Sequence, residues 1–489
     1  MASTLRRTGL VLQSSHMARY QSTSPAEVLL SLAGAGPAHR RLSDALRTAI
    51  RESRLQPNEA LPSSRILASD LGMSRWVVTE AYAQLIAEGY LTARPGSATR
   101  VAARATTASS RAATGGVVER GSDAARQQDA RQLDLRPGSP DLAEFPRVAW
   151  TKAYTQVLRQ VSAYDLGYPA AGGSAVLRET LAAYLARVRG IDANPDRLVI
   201  TGGTTQSMML LSRALAARGI TKIATEDPCW PRLPEVAAEQ GLQVTDVGVD
   251  DAGLCVEDLP ATAAAVLVTP AHQFPTGVAL SAARRTAVLE WAHRHDGLVI
   301  EDDYDAEFRY DRRPLSALAG LDPERVAYLG SVSKTLAPGL RLGWMLLPRW
   351  LVAAVLDEMP EGTGPNVLDQ LTLAEFITRG GYDRHLRRMR RHYRERRDAL
   401  VRALQLAAPG LVLHGIAAGL HLLIELGSNQ DEVTAVSRLQ RSGIHVIPLQ
   451  RYQRERARAG LVINYARLPV LQAPHAAHAI AEAAGVGRS

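Results

Sequence analysis

From Asp134 onward, short apolar runs alternate with longer segments of helical periodicity. The runs are Arg197 to Thr201, Lys222 to Ala224, Ala264 to Val268, Gly297 to Ile300 and Val326 to Leu329. No other feature of the chain constrains its fold as strongly. Short apolar runs separated by helices predict a mostly parallel sheet with crossover helices on its faces. In open sheets of this kind, ligands sit beyond the carboxyl ends of the strands. The loops after these runs are therefore where chemistry is expected.

Those loops are not ordinary. After the first run comes Thr201-Gly202-Gly203-Thr204-Thr205-Gln206, opening a helix. Glycines and hydroxyls at a helix N-terminus offer free N–H groups and the positive end of the helix dipole to a phosphate. After the second comes Glu226-Asp227-Pro228-Cys229-Trp230-Pro231-Arg232, where Trp230 can cover one face of a planar ring. After the fourth comes Glu301-Asp302-Asp303-Tyr304-Asp305. Acids bunched after an apolar run suit a solvated loop or a metal site. They also suit a carboxylate buried against a pyridine nitrogen, which would keep that nitrogen protonated. No metal ligand set is assigned.

The fifth run leads into Gly330-Ser331-Val332-Ser333-Lys334-Thr335-Leu336-Ala337-Pro338-Gly339-Leu340-Arg341. The chain has 57 basic residues, and only Lys152, Lys222 and Lys334 are lysines. Arginine has largely replaced lysine wherever a plain positive charge suffices. The two are not interchangeable where an amine must lose its proton and attack a carbonyl. Lys334 lies at a strand end between hydroxyls, with Arg341 seven residues on. That layout suits a Schiff base with the phosphate-bearing aldehyde pyridoxal phosphate.

The first hundred residues have a different character, with 12 Arg or Lys against 7 Asp or Glu. An amphipathic helix is predicted from about His39 to Arg54, carried by Leu42, Ala45, Leu46, Ala49 and Ile50. Next comes a turn in which Asn58 takes a left-handed conformation. Ser63 and Ser74 cap two further short helices, joined by a turn containing Gly72. That pair is a helix-turn-helix signature, and residues 89–101 read as a hairpin. In such a module the N-terminus of the second helix enters the major groove. Candidate DNA contacts are Ser63, Ser64 and Arg65, then Ser74, Arg75, Trp76 and Thr79, and Arg94, Ser97 and Thr99 on the hairpin.

At 489 residues the chain is too long for one core. Residues 1–24 contain no acid and several Ser and Thr, and are expected to be a disordered extension. Residues 25–103 form the DNA-binding domain. Residues 104–133, rich in Ala, Ser, Thr, Gly, Gln and charge, read as a flexible linker. Residues 134–489 form the α/β domain. No run approaches the roughly 18 apolar residues that a membrane span needs. Two cysteines make no disulfide framework, so a reducing cytoplasm is expected. The net charge of +8 permits a nucleic-acid partner.

The segments Leu61 to Arg65, Leu71 to Arg75, Leu85 to Leu91 and Arg94 to Ser97 resemble the winged helix-turn-helix domain of GntR-type regulators. Asn58 and Trp76 stand where that family usually has Gly and a small or polar residue. The order of phosphate turn, stacking Trp, acid with Tyr, lysine and arginine at successive strand ends resembles a fold-type-I, aspartate-aminotransferase-like domain. That fold joins a large parallel or mixed sheet to a smaller C-terminal α+β subdomain.

By this resemblance Lys334 carries pyridoxal phosphate, Asp302 pairs with the pyridine nitrogen (Asp303 being the other register), and Tyr304 bonds the ring hydroxyl. Trp230 stacks on the ring. Gly203, Thr204, Ser331, Ser333 and Arg341 hold the phosphate. Tyr168 matches a tyrosine that such dimers lend to the neighbouring subunit. Phe274 stands where aminotransferases keep an asparagine, and His272 and Gln273 are the alternatives to take over its contact.

This substitution, with the fused winged helix, is similar to the MocR-type branch of GntR regulators. The resemblance implies a homodimer that binds a double-stranded DNA operator. It would sense pyridoxal phosphate or a small amino-compound effector at Lys334, with Arg232, Arg451 and Arg467 as candidates for an effector carboxylate. The alternative is a working aminotransferase with a DNA-binding appendage. The Arg387 to Arg397 run is expected to be a solvated helix face.

Overall fold

The computed structural model describes residues 36–52, 54–93, 97–102, 132–168, 171–310, 315–360, 362–427, 429–455 and 458–485. Arg94, the 1–24 extension and residues 104–131 of the expected linker lie outside them. The chain divides into two compact units, Met1–Ser122 and Asp123–Ser489.

In the first unit, helices α1 (Ala38–Arg51), α2 (Ser64–Asp70) and α3 (Arg75–Ala87) precede an antiparallel pair, β1 (Leu91–Thr92) and β2 (Arg100–Val101). The caps are those the sequence predicts. Ser63 accepts the N–H of Ile66 at 3.3 Å, and Ser74 that of Val77 at 3.4 Å. Leu42, Leu46 and Ile50 of α1 pack with Leu67, Val78 and Leu85 into one small core that Leu91 and Val101 close. Tyr82 fastens α3 to the turn before α2 through the Pro62 carbonyl, at 2.9 Å. Asn58 has φ +65°, as its turn requires, and its carbonyl accepts from Arg100 at 2.8 Å.

The second unit is built on an eight-stranded sheet. Its strands are β3 (Leu198–Thr201), β4 (Lys222–Asp227), β5 (Gln243–Asp250), β6 (Gly253–Leu254), β7 (Ala265–Val268), β8 (Leu298–Asp303), β9 (Val326–Ser331) and β10 (Gly343–Leu346). The spatial order is β3-β10-β9-β8-β7-β4-β5-β6. The run from β9 to β5 is parallel, as the alternating pattern predicts. Two members go beyond that pattern: the polar strand β5 near one edge and the antiparallel β10, which is inserted between β3 and β9.

The sheet is buried on both faces. Val199, Leu298, Ile300, Ala327, Leu329 and Met345 pack on one side, and Ile200, Val299, Val326, Tyr328 and Trp344 on the other. This period-two division explains why the runs read as continuously apolar.

A second, four-stranded antiparallel sheet lies toward the C-terminus. Its order is Leu413–His414, His421–Leu426, Ala459–Asn464, Ile447–Pro448. The 27-residue helix Gly381–Ala407 packs against the helix Ala473–Ala483 in this region. The arginines of that long helix are not all solvated. Arg388 and Arg390 donate to the carbonyls of Glu144 and Glu307 at 2.8 and 2.9 Å, and Arg396 pairs with Asp141 at 2.8 Å. Their long stems carry the charge inward to these partners. Among the described residues, no helix is long and apolar enough to cross a membrane.

The left-handed turn gives a direct test. Asn58→Gly should be neutral or stabilising. Asn58→Val, which brings a β-branched carbon into the left-handed region, should cost about 1–2 kcal/mol. Calorimetric unfolding of the full chain reads both as shifts of the N-terminal unit's transition.

Candidate cofactor site and nucleic-acid interface

The carboxyl ends of β3, β4, β7, β8 and β9 open on a cavity of about 270 Å³. Gly203, Thr204, Trp230, Asp302, Tyr304, Ser331, Ser333, Lys334 and Arg341 all line it. Tyr168 does not: it is 97% exposed.

At one end is a backbone cradle. Gly203, with φ +110°, is the N-cap of the helix Thr204–Ala217. A Cβ on Gly343 of β10 would come within 2.7 Å of the Gly203 Cα, so the inserted strand lies against the turn only with glycine at 343. Gln206 Oε1 accepts the Gly202 N–H at 2.5 Å, tightening the turn. The Arg341 guanidinium lies beside the same turn, and its backbone is held at φ +51°.

At the floor, β8 sorts its acids by the alternation of a strand. Glu301 and Asp303 point to the packed face. Glu301 accepts the N–H groups of Leu318 and Ala319, both at 3.1 Å. Asp303 pairs with buried Arg189 at 2.6 Å and accepts from Tyr328 at 2.7 Å. Asp302 points the other way, into the cavity, and its Oδ1 has no partner among the described residues. Of the two registers, Asp302 is the one that faces the cavity.

Burial, reinforced by Asp303, pushes the Asp302 carboxyl up to about 7. The same cause pushes up Glu226, also to about 7, although Thr269 Oγ1 donates to it at 2.5 Å. Lys334 Nζ donates to the Gly138 carbonyl at 2.5 Å. Burial lowers its pKa, with Asp305 and Asp302 opposing. A lysine held this way is nearer to the neutral amine that a carbonyl requires.

Tyr304 donates to the His272 carbonyl at 2.9 Å, and His272 Nδ1 lies 2.9 Å from Asp305. His272, Asp305 and His421 place their ligand atoms within 4.8 Å of one another. However, His272 Nδ1 is engaged by Asp305, and the two imidazoles pack 4.9 Å apart. His272 and Asp305 form a hydrogen-bonded pair next to Tyr304, and the His421 ring packs on His272.

Phe274, expected from the resemblance to stand in place of an asparagine, is one of the residues lining the cavity. It packs edge-on against Tyr452 at 4.9 Å and His421 at 5.0 Å. The Gln273 side-chain amide nitrogen is committed to other partners. It is buried and bonds Glu226 at 3.2 Å and the carbonyls of Pro228 and Phe274, both at 2.7 Å.

The three arginines expected to meet a carboxylate lie outside this cavity. Arg232 opens the helix Arg232–Glu239, and the helical repeat turns it onto Glu239, at 2.7 and 3.1 Å. Arg467 is carried past the end of the last strand to Asp134, at 3.1 Å. Arg451 is exposed at the end of a 3-10 turn, and it is the next residue, Tyr452, that reaches the cavity. Four lining residues, His421, Tyr452, Asn464 and Gly138, carry no signal in the sequence. They come from the small sheet and from the segment entering the domain, with no local motif to announce them.

In the N-terminal unit, Arg65 and Arg75 are exposed at the starts of α2 and α3. Trp76 is 63% exposed, with its ring edge-on to His39. Thr79 turns back to the Arg75 carbonyl at 2.9 Å, a bond within α3. Ser63 and Ser74 serve as helix caps, Ser64 is the first residue of α2, and Ser97 and Thr99 precede β2. Arg47, by contrast, is held by Glu88 and leaves no charge to spare.

The two acids of β8 separate by measurement. Asp303→Asn strips Arg189 of its buried counter-charge and should cost about 3 kcal/mol or more. Asp302→Asn should leave stability equal or higher. Because the carboxyls of Asp302, Glu226 and Glu301 are raised to about 7, the unfolded chain loses these protons first. Stability of cofactor-free protein should therefore fall as pH rises from about 4 to about 7, then level off. Asp302→Asn should make that slope shallower by about 1.4 kcal/mol per pH unit. Urea melts across this range check both.

Comparison with known proteins agrees with this architecture. Residues 131–480 match the aminotransferase class I and II family, and residues 38–101 match the bacterial regulatory proteins of the gntR family. The chain is 32% identical to the probable rhizopine catabolism regulatory protein MocR of Rhizobium meliloti, over 88% of this chain and 90% of that one. It is 34% identical to the HTH-type pyridoxine biosynthesis transcriptional regulator PdxR of Corynebacterium glutamicum, over 84% and 88%. Among solved structures, an archaeal alanine:glyoxylate aminotransferase superposes with a TM-score of 0.66 at 26% identity, covering 74% of this chain and 95% of that one. The kynurenine aminotransferase of Pyrococcus horikoshii does so with a TM-score of 0.66 at 23% identity, over 78% and 99%. The fold is that of a pyridoxal-phosphate domain, and the chain belongs to the MocR-type transcriptional regulators, in which a gntR-family DNA-binding domain precedes an aminotransferase-like one.

Proposed function

We propose that this regulator senses pyridoxal phosphate, or a small amino compound that reacts with it, at Lys334. Pyridoxal phosphate, when bound, supplies an aldehyde for an amine to attack and an electron-withdrawing ring. The residues fit it. Gly203, Thr204, Ser331, Ser333 and Arg341 would hold its phosphate, and Trp230 would cover its ring. Asp302 would accept from its ring nitrogen, and Tyr304 would donate to its ring hydroxyl. The observation that carries the reading is the unpartnered, buried carboxylate of Asp302 in the same cavity as Lys334. A carboxylate in that state is stabilised by a charged N–H donor.

Residues 25–103 are the DNA-reading part in this proposal, with Arg65, Arg75 and Trp76 as the principal contacts. Residues 104–133 are the tether and 134–489 the sensor. The protein works as a cytoplasmic homodimer on paired operator half-sites, with Tyr168 lent to the neighbouring subunit's phosphate. The chain leaving the tether supports coupling between the parts. Leu133–Asp134 pairs with Ile444–His445, Asn464 donates to the carbonyls of Arg136 and Ser139, and Gly138 meets Lys334. A ligand that shifts this wall shifts the backbone that leads to the DNA-binding unit, provided it binds the two arrangements unequally.

Lys334→Ala should abolish the absorbance of covalently held cofactor; an unchanged spectrum overturns the assignment. Arg65→Ala and Arg75→Ala should each weaken binding to the DNA upstream of the chain's own gene by about tenfold or more. Deleting residues 1–103 should eliminate it in an anisotropy titration.

A further inference from the structure

The cavity's polar inventory is lopsided. Its cations, among the described residues, are Lys334 and Arg341, and both belong to the cofactor end: Arg341 lies beside the Gly202–Gly203 turn and Lys334 is at the β9 exit. The opposite wall is Phe274, Tyr452, Leu420 and His421. Phe274 holds Tyr452 and His421 in edge-to-face contact, at 4.9 and 5.0 Å, so this wall is a packed aromatic surface.

The polar atoms near it are acceptors, apart from the neutral Tyr452 hydroxyl, which can also donate. His421 is 5% exposed, its ring bonds the Pro275 backbone carbonyl, and its Nε2 has no partner among the described residues. A carbonyl can only accept, so Nδ1 carries the proton. Burial, with His272 and Lys334 nearby, disfavours a second one. Nε2 is then a lone-pair acceptor. Glu226 adds carboxyl oxygens to the lining, and the Asn464 side-chain amide is already spent on Arg136 and Ser139. The three arginines that a carboxylate could have recruited are held outside.

A carboxylate against such a wall would be desolvated with no cation and only the neutral Tyr452 hydroxyl to replace its water, which is costly. An amine or ammonium meets the reverse: lone pairs and aromatic faces that attract cations. Building on the sensor reading above, we propose that the effector is a small organic amine with no carboxylate at the end that meets Phe274 and Tyr452, and that an amino acid is rejected there.

The test uses the full-length protein loaded with pyridoxal phosphate, with cofactor uptake confirmed first by absorbance. Failure to load would overturn the sensor reading itself, which distinguishes it from any outcome of the titrations. Matched probes are then titrated by calorimetry and by the cofactor spectrum: n-butylamine against 4-aminobutanoate, and ethylamine against L-alanine. In each pair the amine should half-saturate at a concentration at least about tenfold lower. Tyr452→Arg, which sets a guanidinium in the wall, should narrow or reverse that preference. Tyr452→Phe, which keeps the ring, should preserve it. Equal or tighter binding of the amino acids by the unaltered protein overturns the proposal, and so does binding of neither class. A preference unmoved by Tyr452→Arg overturns the assignment of the wall.

Discussion

The second unit is organised around the opposite fates of two adjacent carboxylates. Asp302 and Asp303 end the same strand, and the pleat sends them to opposite faces. Asp303 meets a buried arginine at 2.6 Å and a tyrosine at 2.7 Å, so its charge is matched within the protein. Asp302 is equally buried; its Oδ1, like that of Asp303, has no partner among the described residues, but no arginine or tyrosine meets its other oxygen. A lone buried carboxyl is a standing cost, and its upward shift to about 7 is the form that cost takes. Natural cores avoid such groups, so one placed at a strand end beside a lysine is informative about what the site receives. The Arg189–Asp303–Tyr328 cluster behind it keeps the strand end in register, so that Asp302 faces the cavity and not the core.

A similar division governs the cations. With three lysines in the chain, arginine takes the structural pairings. Arg189 neutralises Asp303, Arg284 spans Asp250 and Glu257 at 2.7 and 3.0 Å, and Arg197 bridges to Glu324 at 2.9 Å. A guanidinium cannot be deprotonated at physiological pH, so it is a dependable counter-charge and a poor nucleophile. Of the three lysines, Lys152 and Lys222 are exposed and Lys334 is the one in the cavity. Lys334 is drawn toward neutrality by burial while Asp305 and Asp302 draw it back. Its short bond is to a backbone carbonyl, which does not lock its charge.

What was legible in the sequence came from local rules. Strands buried on both faces read as apolar runs. Serine caps and a left-handed Asn58 announce the winged helix. Glycine turns and acids at strand ends mark the residues expected to hold a cofactor, and nine of them line one cavity. What was not legible depends on distant pairing. Strand β10 is four residues long and antiparallel, and only its neighbours β3 and β9 give it a place. Strand β5 alternates too weakly to stand out, because as a near-edge strand it packs through few side chains.

The effector wall fails to show in the sequence for a related reason. Phe274, His421 and Tyr452 come from three separate stretches and become one surface only when the small sheet folds over the large one. The arginine candidates misled because spacing says where a guanidinium could reach, while the nearest acid decides where it goes. Glu239 lies one face of the helix along from Arg232, and Asp134 waits beside Arg467. Of the two acids that line the cavity, Glu226 is bonded by Thr269 and Gln273 while Asp302 Oδ1 has no partner among the described residues, so Asp302 is a better guide to the site than any of the arginine candidates.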